Sequence, residues 1–267
     1  MNENAEIWTG RAQAYNAYRP HPPTVILDMF TQLIGDEHPR LVVDLGSGTG
    51  LSTAIWAERA QQVIGIEPND DMRQQAEEKR EQFALQNVEY QAAVSARTGL
   101  PDGCADIVTC SQSLHWMEPE TTFAEIARIL RPGGLFAAYD YAWPPTINWE
   151  AEAAYDALDE MVEKIGKEQS IEWRERGQYW EKEQHLERIK ASGRFRYVKE
   201  VLVHNREIGD ADRFIGLTLS NHIAALLQQG LSEEEVGLDR YKAAVRQALG
   251  EKTMPLYFSY HVRIGIK

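Results

Sequence analysis

A chain of 267 residues can hold one large α/β domain, or a core domain carrying a sizeable insertion. With 28 Lys and Arg against 41 Asp and Glu its formal charge is −13, and no basic cluster stands out, which argues against a nucleic-acid partner. No window approaches the ~20 consecutive apolar residues of a membrane span, and residues 1–10 lack the apolar stretch of a signal peptide, so a cytoplasmic protein with no membrane partner is expected.

Cys104 and Cys110 fit neither a disulfide framework nor a metal site, and no metal is expected. Cys110 falls in an apolar run, where a buried thiol is ordinary.

In chain order, Val25, Ile26, Met29, Phe30 and Leu33 form the apolar stripe of a first helix, with Pro22 and Pro23 near its first turn. The aromatic-rich segment 14–20 has no periodicity that places it. From residue 41 strands and helices alternate. Strands are predicted at 41–45, 63–66, 88–93, 106–110 and 135–139, and helices at 53–60, 72–83 and 122–130. Arg131-Pro132-Gly133-Gly134 stops the last of these helices. Such alternation means βαβ units and a parallel sheet. Later, Ala154, Leu158, Met161, Val162 and Ile165 mark another helix, 197–203 a strand, 212–229 and 232–249 helices, and 257–266 a last strand. The expected architecture is a doubly wound α/β fold, a mostly parallel seven-stranded sheet with helical insertions after strands five and six. It forms a single domain over 1–267, with a core at 36–141 and 195–267, an N-terminal lid segment at 1–35 and a helical cap at 142–194. The insertions would lie over the carboxyl ends of the strands, where open α/β sheets bind ligands.

The sharpest motif is Asp44-Leu45-Gly46-Ser47-Gly48-Thr49-Gly50, between a strand and a helix. Glycines there let a ligand approach the backbone, and the first N–H groups of the helix attract negative charge. A dinucleotide site needs a third small residue where this chain has Leu51, and an acid at Asp44 would repel a diphosphate. The same acid could bind, directly or through water, the ammonium of a methionine moiety, so the loop favours S-adenosylmethionine. Glu67 ends the second strand, roughly twenty residues past the loop, where a ribose-binding acid belongs.

This glycine loop, Glu67-Pro68 with Met72, Leu100-Pro101-Asp102-Gly103, Leu114-His115-Trp116 and Leu130-Arg131-Pro132-Gly133-Gly134 resemble the class I S-adenosylmethionine-dependent methyltransferases of the type 11 group, over 20–141. Tyr18-Arg19-Pro20 and His115-Trp116 resemble the trans-aconitate methyltransferase-like branch in particular. The resemblance implies a Rossmann-like methyltransferase fold in which Asp44, Gly46 and Gly48, with Ser47 and Gly50 of the same loop, hold the methionine end of the cofactor. Glu67 would hold the ribose, Pro68 and Met72 would pack near the adenine, and Ser95 and Ala96 would occupy the turn at the adenine edge. Many relatives carry an acid in that turn, and Ala96 stands in its place here. Gln112 would approach the methionine portion, and Tyr15, Tyr18 and Arg19 would close over the cofactor or substrate.

Methyl transfer is an in-line displacement, so alignment and water exclusion are the protein's main tasks. A base is needed only for an acceptor that arrives protonated. His115 is the candidate base; it could equally order its loop, with Trp116 packing beside it or lying against the sulfonium. In the insertion, Trp173, Arg174, Arg176, Tyr179 and Trp180, and later His222, could wall a pocket for a flat or carboxylated molecule or cover a solvated helix. Arg19, Tyr15, His115, Trp116 and Trp173 are the substrate-side candidates. The expected function is methylation of a small molecule through a carboxylate or hydroxyl. The alternatives are an RNA or protein methyltransferase, a non-catalytic S-adenosylmethionine-binding protein and an NAD-dependent oxidoreductase.

Overall fold

A computed structural model describes residues 8–10, 12–168, 179–220, 223–228 and 230–267, with the side chains of 13–15, 224–225 and 228 outside the description. The chain opens with α1 (Ala12–Tyr18) and α2 (Val25–Ile34). It then alternates through β1 (Leu41–Leu45), α3 (Leu51–Ala54), β2 (Gln62–Ile66), α4 (Asp70–Gln82), β3 (Val88–Gln91), β4 (Ala105–Ser111), α5 (Pro119–Ile129) and β5 (Leu130–Tyr141). After α6 (Trp149–Glu168) and α7 (His185–Ala191) come β6 (Tyr197–Gly209), α8 (Ala211–Leu219), α9 (Ile223–Gln228), α10 (Leu238–Leu249) and β7 (Met254–Ile266).

The seven strands form one sheet in the order β3-β2-β1-β4-β5-β7-β6. Strands β1 to β5 are parallel, and β7 runs antiparallel between β5 and β6. The order reverses between β1 and β4, which opens a crevice at their carboxyl ends. Side-chain alternation along each strand feeds two cores. Val42, Val63, Ile107 and Leu135 face one side with α2, α6, α8 and α10, whereas Val43, Ile64, Val108 and Phe136 face the other with α5 and α7. The doubly wound architecture expected from the sequence is the observed one.

Several boundaries move. Residues 131–134 do not simply stop α5: β5 starts at Leu130 and absorbs the turn as a register shift between Ala105 and Ile107 on β4. Helix α2, placed in the lid segment on sequence, is part of the core: Ile26 and Phe30 are fully buried, and Phe30 stacks on Trp56 at 6.3 Å. Likewise α6 sinks Tyr155, Leu158 and Val162 against Val236, Tyr241 and Val245, so the first helix of the expected cap also belongs to the core. Among the described residues no helix is long and apolar enough to cross a membrane, and no three His, Cys, Asp or Glu side chains cluster as a metal site would need.

Candidate active site

The crevice is a cavity of about 470 Å³, within the usual ~300–1,000 Å³ of small-molecule sites. At one end its wall is the glycine loop. Gly46 and Ser47 donate their N–H groups to Ile66 O at 2.8 and 3.1 Å, which ties the loop to the end of β2. Gly46 has φ +65°, and a Cβ there would stand 2.7 Å from Ser113 Cβ and 2.8 Å from Met117 Cε, so glycine is required twice over. Gly48, at φ +55°, lines the cavity, and a Cβ there would meet nothing within 4 Å.

Glu67 lies beside the loop with 7% of its surface exposed. Its Oε2 accepts the Gly48 N–H at 2.9 Å and its Oε1 the Asn69 N–H at 2.8 Å. Burial raises its pKa, and the two backbone hydrogen bonds oppose that rise. Asn69 caps α4 by accepting the Met72 N–H at 2.9 Å and donates through its amide to Thr9 Oγ1 at 3.0 Å. Beyond Glu67 the wall continues through Pro68, Met72, Ser95 and Ala96. The Ser95 hydroxyl shares a hydrogen bond with Thr122 Oγ1 at 3.1 Å, and with Ala96 beside it that turn carries no acid of its own.

Asp44 is on no wall. Fully buried beneath the loop, it accepts from Thr53 Oγ1 at 2.8 Å and Thr109 Oγ1 at 2.7 Å, and burial pushes its carboxyl up to about 6. The sequence allowed an ammonium contact directly or through water, and the structure sets this carboxyl below the loop, off the cavity wall. A carboxyl whose pKa is raised by folding adds stability below its unfolded value, and that contribution is lost as pH rises through about 6. Over the interval from 3.8 to about 6 this corresponds to about 3 kcal/mol. Asp44→Asn is therefore expected to flatten the fall in ligand-free stability across that interval, measured by urea denaturation. Parallel curves for the two proteins would remove Asp44 as its source.

The other end of the cavity lies over β4, β5 and β7. Gln112, just past β4, lines it, as do Arg19, Trp116, Tyr141 and Tyr260. Arg19 donates to Tyr141 Oη at 2.8 Å and to Ser220 O at 2.9 Å, which places it at this end rather than against the cofactor loop. Trp8, also on the wall, meets Trp116 edge to face at 6.0 Å. Helix α1 is held over the loop by Lys79, which donates to Asn16 Oδ1 at 2.6 Å and Thr49 O at 2.9 Å.

Four expected site residues stand apart from the wall. His115 lies in the short turn Leu114–Trp116, 6% exposed, with its ring 5.2 Å from Tyr179 and 6.4 Å from His185. Burial, helped by Lys182, His185, Arg19 and Arg263, holds its pKa well below the ordinary range. Its carbonyl accepts the Trp180 N–H at 2.8 Å, which docks the cap segment on this turn, and His115 is not among the residues that line the cavity. Tyr18 packs on Gly216 of α8, where a Cβ would overlap its ring. Gly50 is blocked by the Tyr90 ring behind the loop. Asp44 is the fourth. Trp173, Arg174, Arg176, His222 and the Tyr15 side chain lie outside the described residues. Sequence reasoning missed Trp8, Ser113, Tyr141, Tyr260 and, behind Gln112, Lys182. Tyr141 lies two residues past the predicted strand 135–139 and ends the observed β5 at the carboxyl edge, a position that could have found it.

Ser47 Oγ and Gln112 Nε2 are buried beside the cavity with no hydrogen-bond partner among the described residues, and Glu67 keeps acceptor capacity beyond its two backbone contacts. The Ser47 hydroxyl and Glu67 suit a ligand with both hydroxyls and a charged amino-acid end. A switch-point cavity walled by a glycine loop and a strand-end acid is the cofactor site of the class I S-adenosylmethionine-dependent methyltransferase fold. Residues 43–138 match the family described as a methyltransferase domain, and the chain thus carries a methyltransferase domain of the type 11 group.

The chain is 31% identical over 153 residues to an uncharacterized methyltransferase of Mycobacterium tuberculosis, covering 57% of each protein. It is 28% identical over 165 residues to the malonyl-[acyl-carrier protein] O-methyltransferase of a Marinomonas species, covering 58% of this chain and 61% of that protein. The chain spans about half the length of the curated relatives it matches. A solved candidate type II methyltransferase of Anaeromyxobacter dehalogenans superposes with TM-score 0.67 at 21% identity, over 93% of this chain and 98% of the other, which shows the shared fold.

Proposed function

We propose that this protein is an S-adenosylmethionine-dependent methyltransferase acting on a small molecule, with a carboxylate or hydroxyl as acceptor. The observation that carries the reading is a single cavity that joins the glycine loop and Glu67 to a second compartment walled by Arg19, Trp116, Tyr141 and Tyr260. One compartment fits the cofactor and the other the acceptor. The bound cofactor supplies an activated methyl group. The chain's own residues do the rest: Glu67 would accept from the ribose hydroxyls, Gly46 and Gly48 would let the cofactor approach the protein backbone, and the buried Asp44 would supply negative charge for its cationic end. Trp8 and Trp116 exclude water, and Arg19 and Gln112 orient the acceptor.

His115 is not among the residues that line the cavity, and no other histidine among the described residues is. That favours an acceptor that is already anionic over a hydroxyl, because a carboxylate needs no proton removed.

A thermal-shift series tests the reading. S-adenosylmethionine and S-adenosylhomocysteine at about 100 times Kd should each add about 2.7 kcal/mol of stability, and NADH at the same concentration should add none. Stabilisation by NADH alone would return the site to the dinucleotide oxidoreductases, despite Leu51 and Asp44. Incorporation of label from methyl-labelled cofactor into small acids then separates an enzyme from a protein that only binds the cofactor.

A further inference from the structure

Past the glycine loop the cavity runs across two more strands. At ~4.8 Å between strands, Tyr141 on β5 lies roughly 10 Å from β1, and Tyr260 on β7 roughly 14 Å. Gln112 stands at the threshold of this compartment. Its φ is +54°, a left-handed conformation that costs a non-glycine residue energy and persists only where the surroundings enforce it. Its backbone N–H is held by Tyr139 O at 2.9 Å.

Behind Gln112 sits Lys182, in the short turn Lys182–Gln184 of the cap region. The Lys182 ammonium donates to Gln112 Oε1 at 3.3 Å. An ammonium has three donors and no acceptor, so the contact fixes the amide: carbonyl toward lysine, NH₂ away from it. That NH₂ is buried and has no hydrogen-bond partner among the described residues, although Gln112 lines the cavity. Lys182 has no ion pair among the described residues. Asp140, whose charge attracts it, is bound by Arg263, and Arg263 also reaches Glu200 at 2.9 Å. Burial lowers the Lys182 pKa, and the charges of Arg19 and Arg263 lower it further. Within this group three cations, Arg19, Lys182 and Arg263, face three carboxylates, Asp140, Glu183 and Glu200, and Arg263 engages two of those, Asp140 and Glu200.

Resting on the methyltransferase reading, we propose that the acceptor carries an oxygen anion, a carboxylate or a phosphate, which docks on the Gln112 amide that Lys182 orients, with Arg19 on the same wall. Such a group would accept from the stranded NH₂ and lie near the Lys182 and Arg19 charges. Gln112 is then the specificity-determining contact, and Lys182 is a positioning residue acting through the amide and through its charge.

The test uses protein saturated with S-adenosylhomocysteine, titrated calorimetrically at matched ionic strength. The probes are three acid–neutral pairs: acetate and acetamide, benzoate and benzamide, phenyl phosphate and phenol. At least one acid is expected to bind about tenfold more tightly than its neutral partner, as a charge-assisted hydrogen bond would give. Whether the carboxylates or the phosphate ester show it identifies the anion. Lys182→Met should reduce that preference to about threefold or less, while Lys182→Arg, which keeps the charge, retains most of it. Both variants should bind S-adenosylhomocysteine as the wild type does.

No binding of any acid, no preference within any pair, or a preference that survives Lys182→Met overturns the proposal. So does a loss of about tenfold in S-adenosylhomocysteine affinity on Lys182→Met, which would assign the pair to the cofactor's own carboxylate. Failure of the wild type to bind S-adenosylhomocysteine overturns the methyltransferase reading instead. The wild-type comparison stands even if Lys182→Met does not fold, and Gln112→Glu then provides the variant arm. It replaces the NH₂ donor by a carboxylate and should abolish the acid preference.

Discussion

Replacing Glu67 by alanine is expected to weaken binding of S-adenosylmethionine and S-adenosylhomocysteine by about tenfold or more, the scale of a lost charged hydrogen-bond pair, ~1.5–3 kcal/mol. The carboxylate is almost fully buried, and each of its oxygens accepts one backbone N–H, from Gly48 and from Asn69. An ionised carboxylate has about four acceptor sites, so two remain for a pair of ribose hydroxyls. The same geometry braces the glycine loop, and the two roles must be separated. A ribose contact predicts equal losses for S-adenosylmethionine, S-adenosylhomocysteine and 5′-methylthioadenosine, since all three carry the sugar. A brace alone predicts a larger loss for the ligands with a methionine end, because the displaced loop faces that end. Unchanged affinity for all three would take Glu67 out of the site. The pH dependence has a definite sign: burial raises the Glu67 pKa, so affinity should fall as the medium is acidified and the acceptor carboxylate is lost.

What the sequence made legible is what short-range physics decides. The run from Asp44 to Gly50 reads correctly because a strand, a tight turn and a helix start are each local, and Glu67 follows from the length of one βαβ unit. Helix α1 was not legible. It is held by contacts distant in sequence, the Lys79–Asn16 hydrogen bond and the seat of Tyr18 on Gly216, rather than by a stripe of its own. Strand β6 extends to Gly209, six residues beyond 203, where the expected strand stopped. As the edge of the sheet it needs no alternating apolar face there, and His204, Asn205, Arg206 and Glu207 pair with β7 all the same. The acceptor compartment was hidden for a related reason. Tyr260 reaches the carboxyl edge only because β7 runs antiparallel, and Lys182 meets Gln112 across 70 residues of sequence. His115 was given a candidate role from its position after β4. Its ring packs beside those of Tyr179 and His185, which come from the sequence-distant cap.

The glycine loop also makes a prediction in which two neighbouring glycines fail for different reasons. Gly50→Ala is expected to cost about 2–5 kcal/mol of folding stability. The left-handed backbone at φ +80° contributes ~1–2 kcal/mol of this, and overpacking ~1–3 kcal/mol. The new methyl would overlap the Tyr90 hydroxyl and stand 2.9 Å from Tyr90 Cζ and 3.2 Å from Ala76 Cβ. Tyr90→Phe in the same chain deletes the closest of those atoms and should restore part of the loss. Gly48→Ala shares the backbone strain, at φ +55°, but its methyl meets no protein atom within 4 Å. It should therefore lose only the ~1–2 kcal/mol of the backbone penalty, yet bind S-adenosylhomocysteine markedly more weakly, because the methyl stands beside the cavity. Urea denaturation and calorimetric titration of the two variants read these effects independently. Equal destabilisation with intact binding in Gly48→Ala would mean that the loop's glycines serve the fold alone. A stable Gly48→Ala that no longer binds would place the cofactor against the open side of that residue, the approach that makes a glycine loop useful at the end of β1.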